Sequence, residues 1–308
     1  MKTGILKKTS ENPLVRGEKL CYAGAAMDTM LSLITPVFNE PKIHENLPII
    51  DHELSKTGLP YEIIAVNDGS DAVTTTLLNG VNLASLRTFT YAANIGKGFA
   101  LRYAFEQSRG SLICLMDADL QLHPQQIALF TNLMTLVDAD VVIGSKRHPL
   151  SQVDYGPRRR LYSWGYQQLV RLFFNLNITD TQVGLKLFKR HVLEAVIPRL
   201  VVKQWAFDLE LLVVARHLGY RRILEAPIRM TWREGKSSIN WKVIPGMLQD
   251  TLAIYYRTYL KRQYDQAPRV QSSQDIPVIV SGEVLKERDD TSRSPIEVQG
   301  IIYAADKP

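Results

Sequence analysis

Four short apolar runs in the first half of the chain each end in a polar cluster, and this recurrence narrows the folds open to it. Leu31 to Val37 leads into Phe38-Asn39-Glu40, and Glu62 to Val66 into Asn67-Asp68-Gly69-Ser70. Thr88 to Tyr91 leads into Asn94-Ile95-Gly96-Lys97-Gly98, and Leu112 to Met116 into Asp117-Ala118-Asp119-Leu120-Gln121. Helical patterns separate the runs, over about 43–56 and up to Gln107. A further helix is expected to begin at Pro124, a position that tolerates a missing N–H. Asp140 to Gly144 follows as a fifth run. Strands alternating with helices at this spacing predict an α/β fold with a mostly parallel, Rossmann-like central sheet covered on both faces. Such sheets bind ligands beyond the carboxyl ends of their strands. The four clusters should therefore converge on one rim.

The second half reads differently. RRRLYSWGYQQLVRLFF (158–174) is a basic, aromatic helix candidate, and FDLELLVVARHL (207–218) is an apolar helix ending at Gly219. Residues 243–262 carry an amphipathic helix with a basic end, Arg257, Lys261 and Arg262. The expected organisation is a flexible arm over 1–29, one domain over 30–245, an amphipathic helix over 246–264 and a disordered tail over 265–308. The tail is polar and aperiodic, a composition that cannot bury enough apolar surface to fold.

The 308 residues are 45% hydrophobic and 22% charged, an ordinary globular balance. A net charge of +6 gives a mild bias toward anionic partners such as nucleotides, phosphates or an anionic membrane surface. No nucleic-acid partner is expected. The two cysteines, Cys21 and Cys114, make neither a disulfide framework nor a zinc site, which favours a reducing, cytoplasmic setting. No run of about 18 uncharged apolar residues occurs, so no transmembrane helix is expected. Any membrane contact should then be peripheral, on the cytoplasmic face.

Asp117 and Asp119 pose the sharpest chemical question. Read as strand residues they point to one side, roughly 6.6 Å apart along the chain, and Gln121 continues that side. Paired carboxylates suit a hard cation such as Mg²⁺ or Mn²⁺, which removes their repulsion and can bridge a diphosphate. The plainer alternative is a strand end with two solvated acids. Asn94 to Gly98 is not an ATP-binding phosphate loop, because Tyr91 and Gly98 stand where Gly and Ser or Thr are needed. Asp68 can accept a hydrogen bond from a base or ribose, or simply cap a turn. Asp208 opens a helix, and capping is its ordinary role. Arg158-Arg159-Arg160 can be a solvated face.

Taken together, TPVFNE (35–40), VNDGS (66–70), NIGKGFA (94–100) and DADLQ (117–121) resemble family 2 glycosyltransferases with a GT-A fold. By that resemblance Pro36, Glu40 and Asp68 hold the nucleoside of a nucleotide-sugar donor, with Asn94 and Lys97 beside it. Asp117, Asp119 and Gln121 hold the metal and diphosphate. DTQVGLKLFKR (180–190), WAFDLELL (205–212) and WREGKSSIN (232–240) are similar to polyprenyl-phosphate sugar transferases, above all dolichyl-phosphate glucosyltransferases. This implies an inverting, metal-dependent transfer of glucose from UDP-glucose to a polyprenyl phosphate. A lipid phosphate is already ionised and needs no general base. Arg147, Arg158, Lys186, Arg233 and Lys236 are the candidate positive shell for the two anions, with Arg147, Arg158 and Lys186 toward the acceptor phosphate. Asp208 orients the sugar or the acceptor.

Three other enzymatic readings stay open: a saccharide hydroxyl as acceptor, with Asp208 as base; mannose from GDP-mannose as the transferred sugar; and a nucleotidyltransferase, whose glycine-rich N-terminal phosphate loop is missing. A catalytically silent nucleotide-sugar-binding module is the non-enzymatic alternative. The basic helices 158–174 and 243–262 fit an interfacial role, or else they pack on the sheet.

Overall fold

The structure, a computed structural model, describes residues 29–153, 157–202, 206–231, 244–266 and 279–281, with the backbone alone at 157–163, 244 and 279–281. Strands β1 (Leu31–Val37), β2 (Tyr61–Asp68), β3 (Leu86–Tyr91) and β4 (Leu112–Leu115) alternate with helices α1 (Ile43–Ser55), α2 (Ala72–Asn79) and α3 (Lys97–Gln107). Helix α4 (Gln126–Leu136) then leads to β5 (Val141–Ser145). These elements lie where the apolar runs place them, within a few residues. After them come a short β6 (Gln152–Val153), α5 (Pro157–Phe174), β7 (Lys186–Lys189), α6 (Arg190–Val196), α7 (Phe207–His217), β8 (Ile223–Pro227) and β9 (Arg229–Met230). Helix α8 (Ile244–Tyr255) widens into a π-turn at Tyr256–Leu260, and β10 (Ile279–Ser281) comes last.

Eight strands form one sheet in the order β10-β3-β2-β1-β4-β7-β5-β8. Pairing is parallel among β1, β2, β3 and β4 and between β5 and β8, whereas β7 is antiparallel to both its neighbours and β10 is antiparallel to β3. The carboxyl ends of β1, β2, β3, β4 and β5 therefore share one rim. The sheet is buried on both faces. Along β1, Leu31, Leu33 and Val37 enter the cluster shared with α1 and α4, while Ile34 enters the one shared with α3, α5 and α7. This alternation is the pleat, and apolar residues on both sides mark a central strand.

Two expectations need correcting. Asp117 and Asp119 do not continue a strand, because β4 ends at Leu115 and they sit in the turn beyond it. Beyond β5, strands β7 and β8 complete the sheet, and β7 slots between β4 and β5. Of the stretch read as a disordered tail over 265–308, residues 279–281 form β10, paired to β3, and 267–278 and 282–308 lie outside the described residues. The arm over 1–28 lies outside the described residues.

Helices α5 and α8 pack on the sheet and on each other. Val170, Phe174 and Ile254 join the core, and the rings of Phe173 and Tyr255 lie 5.2 Å apart. Their outer faces stay apolar and exposed, as described below.

Candidate active site

A cleft of about 600 Å³ opens at the shared rim, a size suited to a small ligand. The carboxyl ends of β1, β2, β3 and β4 and the segments that follow them supply Pro36, Glu40, Asp68, Asn94, Lys97, Asp117 and Asp119 to its walls, and Asp208 comes from the start of α7. The four clusters do converge.

The first three loops are stapled to one another. Asn39, in the left-handed conformation (φ 50°), accepts from Asp71 N at 2.8 Å, and Asn39 N donates to Ser70 Oγ. Gly69 is required between them. Its φ is +64°, and a Cβ there would lie 2.4 Å from Ala93 C and Asn94 N. That close approach lets the Asp68 carboxylate accept from Ile95 N at 2.8 Å, from Gly96 N at 3.0 Å and from Asn94 Nδ2 at 3.1 Å. Most of its lone-pair capacity is taken. In this arrangement Asp68 builds the loop that opens α3, and that loop sets the first residue of α3, Lys97.

Lys97 Nζ stands 2.8 Å from Asp117 Oδ1 and 3.4 Å from Asp208 Oδ2. On its far side Asp208 Oδ1 meets Lys186 Nζ at 2.7 Å. Acid and ammonium thus alternate through Asp117, Lys97, Asp208 and Lys186. Asp208 is buried, and burial alone would raise its carboxyl, but Lys186 and Lys97 outweigh that and hold it below the usual range. Burial lowers the Lys186 ammonium, with Asp208 opposing. Asp208 is not a helix cap: the cap position is Ala206, and the carboxylate faces the lysines.

Asp119 is held by Gln121 rather than by the lysines. Its two oxygens accept from Gln121 N at 3.1 Å and Gln121 Nε2 at 2.8 Å, a turn made by Leu120 in the left-handed conformation (φ 53°). Burial, then the charge of Asp117, and to a lesser degree Glu40, hold Asp119 above the usual carboxylate range. The excess of carboxylates at this mouth, all hard oxygen donors, fits a divalent cation of the Mg²⁺ or Mn²⁺ type. Among the described residues no three His, Cys, Asp or Glu side chains make a preformed metal cage. Such an ion would need oxygens from a ligand as well.

Two contributors escaped the sequence reading, although both lie in DTQVG. Gln182 lines the cleft, and its Nε2 is buried without a hydrogen-bond partner. Gly184 backs Asp117: a Cβ there would lie 1.9 Å from Asp117 Oδ2. Glu225 of β8 holds the start of this loop, accepting from Thr179 N at 2.8 Å and Asp180 N at 3.1 Å.

The positive shell is only partly placed. Lys186 is 1% exposed and committed to Asp208 and to the Val183 carbonyl, so its ammonium does not line the cleft. Arg147 lies two residues past β5, on the same rim but outside the cleft lining. Arg158 is on α5, where only the backbone is described, and Arg233 and Lys236 lie outside the described residues.

The family model for "Glycosyl transferase family 2" matches residues 32–197, more than half of the chain. The chain belongs to glycosyl transferase family 2. It is a glycosyltransferase with a GT-A fold. A dolichyl-phosphate beta-glucosyltransferase of Trichomonas vaginalis is 29% identical over 256 residues, 77% of this chain and 74% of that protein. A dolichyl-phosphate beta-glucosyltransferase of Homo sapiens is 30% identical over 249 residues, 70% of each chain. Among solved structures, glucosyl-3-phosphoglycerate synthase of Mycobacterium tuberculosis with Mn²⁺, UDP-glucose and phosphoglyceric acid aligns at TM-score 0.57. It is 16% identical, over 78% of this chain and 81% of that one. Likeness at that identity concerns the fold of this glycosyltransferase alone.

Proposed function

We propose that this glycosyltransferase moves glucose from UDP-glucose to a polyprenyl phosphate, with inversion at the anomeric carbon and dependence on Mg²⁺ or Mn²⁺. The observation that carries the acceptor class is the state of Asp208. An acceptor hydroxyl needs a base, and Asp208, clamped between Lys97 and Lys186, is a poor one. A phosphate acceptor arrives ionised and needs none. The names of the dolichyl-phosphate relatives support the same acceptor and the glucosyl donor.

Asp117 and Asp119, with Gln121, would hold the metal, which when bound neutralises charge on the departing diphosphate. The chain's own residues do the remainder. The loop built on Asp68, with Pro36, Glu40 and Asn94 along the wall, receives the nucleoside. Lys97 supplies a positive charge beside the diphosphate. The unpartnered Gln182 amide offers a donor to a phosphate or sugar oxygen. Arg147, Arg158, Arg233 and Lys236 are assigned to the acceptor phosphate, and Lys186 acts by holding Asp208. Attack by a phosphate oxygen from the face opposite the leaving group converts an α-linked donor into a β-linked lipid phosphosugar.

The lipid acceptor implies peripheral contact with a membrane, on its cytoplasmic face. Among the described residues no helix is long and apolar enough to cross one. The test is to incubate the purified chain with Mn²⁺ and a panel of nucleotide sugars, with and without polyprenyl phosphate. Mass spectrometry and NMR coupling constants then identify any product. A β-linked glucosyl lipid formed from UDP-glucose is expected. Transfer only to a saccharide hydroxyl, or only from GDP-mannose, overturns the acceptor or the donor; an α-linked product overturns the single displacement.

A further inference from the structure

Asp117 already holds a cation that belongs to the protein. Lys97 Nζ lies 2.8 Å from its Oδ1, the distance of a charge-assisted hydrogen bond. Gly184's bare backbone stands behind the carboxylate, since Oδ2 lies 1.9 Å from where a Cβ on Gly184 would be, and the Asp117 side chain is 44% exposed on its open side. The carboxylate is packed from behind and open toward the cleft, so a second cation arriving there competes with Lys97 for it.

The two lysines of the chain of charges are unequal. Lys186 is 1% exposed and donates to both Asp208 and the Val183 carbonyl, so it is fixed. The side chain of Lys97 is 33% exposed, and it reaches the cleft from the first turn of α3 on a four-carbon stem. Asp208 retains Lys186 at 2.7 Å whether or not Lys97 stays. Lys97 can thus leave Asp117 without stranding a buried charge, and Lys186 cannot move in its place.

We propose that Lys97 is an internal counter-cation that keeps divalent metal off the empty cleft, and that the metal enters together with a diphosphate, whose charge draws the ammonium off Asp117. Metal and nucleotide then bind with strong mutual enhancement. Each one alone meets a site already neutralised or still acidic, and linkage makes the enhancement equal in both directions. The inference rests on reading the cleft as a metal and nucleotide-sugar site.

The test is Mn²⁺ binding to the full chain, followed by the paramagnetic resonance signal of free Mn²⁺, with and without UDP. The wild-type chain is expected to bind Mn²⁺ at least about 10-fold more tightly with UDP than without it, the usual span of coupling between sites. Without UDP, Lys97→Met should bind Mn²⁺ about 10-fold more tightly than wild type, the scale of removing one competing charge contact. Its UDP dependence should shrink but not vanish, because the diphosphate still supplies oxygens to the ion. Lys97→Arg, which keeps the charge, should stay weak. A misfolded variant loses binding, so a gain separates the proposal from damage to the fold. Equal Mn²⁺ affinity of wild type and Lys97→Met without UDP overturns the role of Lys97 and leaves the metal reading standing. No Mn²⁺ binding to either chain with UDP present overturns both.

Discussion

Asp119 and Asp208 are carboxylates shifted in opposite directions, and the shifts predict opposite behaviour. Burial, then Asp117 and Glu40, raise Asp119. A carboxyl raised in the folded state costs stability at pH values above its folded pKa. In chelator at pH 7, Asp119→Asn should therefore melt at a higher temperature than wild type. Its turnover should fall by at least about 10²-fold, the scale of losing one electrostatic stabiliser. Unchanged turnover in excess chelator for wild type would remove the metal from the scheme. Asp208 is lowered, because Lys186 and Lys97 outweigh its burial. Its stabilising contribution is fully present above the unfolded value of about 3.9 and fades as pH falls through the lower folded one. The melting temperature of wild type should approach that of Asp208→Asn only below about pH 3.9. A gap that stays constant through that range would show that the lysine clamp contributes nothing.

At the scale of elements, two glycines fix where loops pass. Gly69→Ala places a Cβ 2.4 Å from Ala93 C and Asn94 N, backbone atoms that cannot swing aside. The left-handed conformation alone costs about 1–2 kcal/mol for an L-residue, so urea denaturation should show a loss at least that large. Gly184→Ala meets a side chain instead, the Asp117 carboxylate. Here the fold should survive, by circular dichroism, while Mn²⁺ affinity in the presence of UDP drops. Both changes being silent would mean that the rim loops are looser than their contacts imply. Strand β7 contributes in a third way. Its antiparallel insertion between β4 and β5 carries Lys186 into the interior beneath Asp208. Lys186→Met leaves Asp208 to Lys97 alone, and loss of one partner of a buried pair costs about 3–5 kcal/mol.

Over the whole molecule, the outer faces of α5 and α8 leave an apolar surface next to basic residues. Leu172 is 81% exposed and Leu260 68%, and Leu248, Leu252 and Tyr256 follow at four-residue spacing along one helix face. Lys261 and Arg262 are exposed at its end. That combination suits an interfacial helix, and each basic residue near an anionic leaflet is worth about 1 kcal/mol. The chain should co-sediment with anionic liposomes at low salt and release at high salt, and Leu252→Ser with Leu260→Ser should weaken it. Indifference to such liposomes at low salt would turn the acceptor reading toward a soluble compound.

The sheet's first half and the rim it presents were legible along the chain, because strand, helix and turn signals there are local. A pleat needs alternate residues, a helix needs a period of 3.6, and a cluster after each strand needs only parallel order to converge. Asp117, Asp119 and Lys97 lie in those clusters, whereas Asp208 stood out only as the opening of a helix and through the family resemblance. Their pairing was not legible. Lys97 and Asp208 lie 111 residues apart, and Lys186 and Asp208 22 apart, so their salt links depend on how β7 and α7 dock. Four-residue β7, with a lysine at each end, carries too weak a pattern to announce a buried strand. Residue order along the chain therefore specified the acids and the rim. The family resemblance already implied a phosphate acceptor, but the pairing of Asp117 and Asp208 with lysines, and with it the argument against Asp208 as a base, arose only when long-range packing brought Lys97 and Lys186 to them.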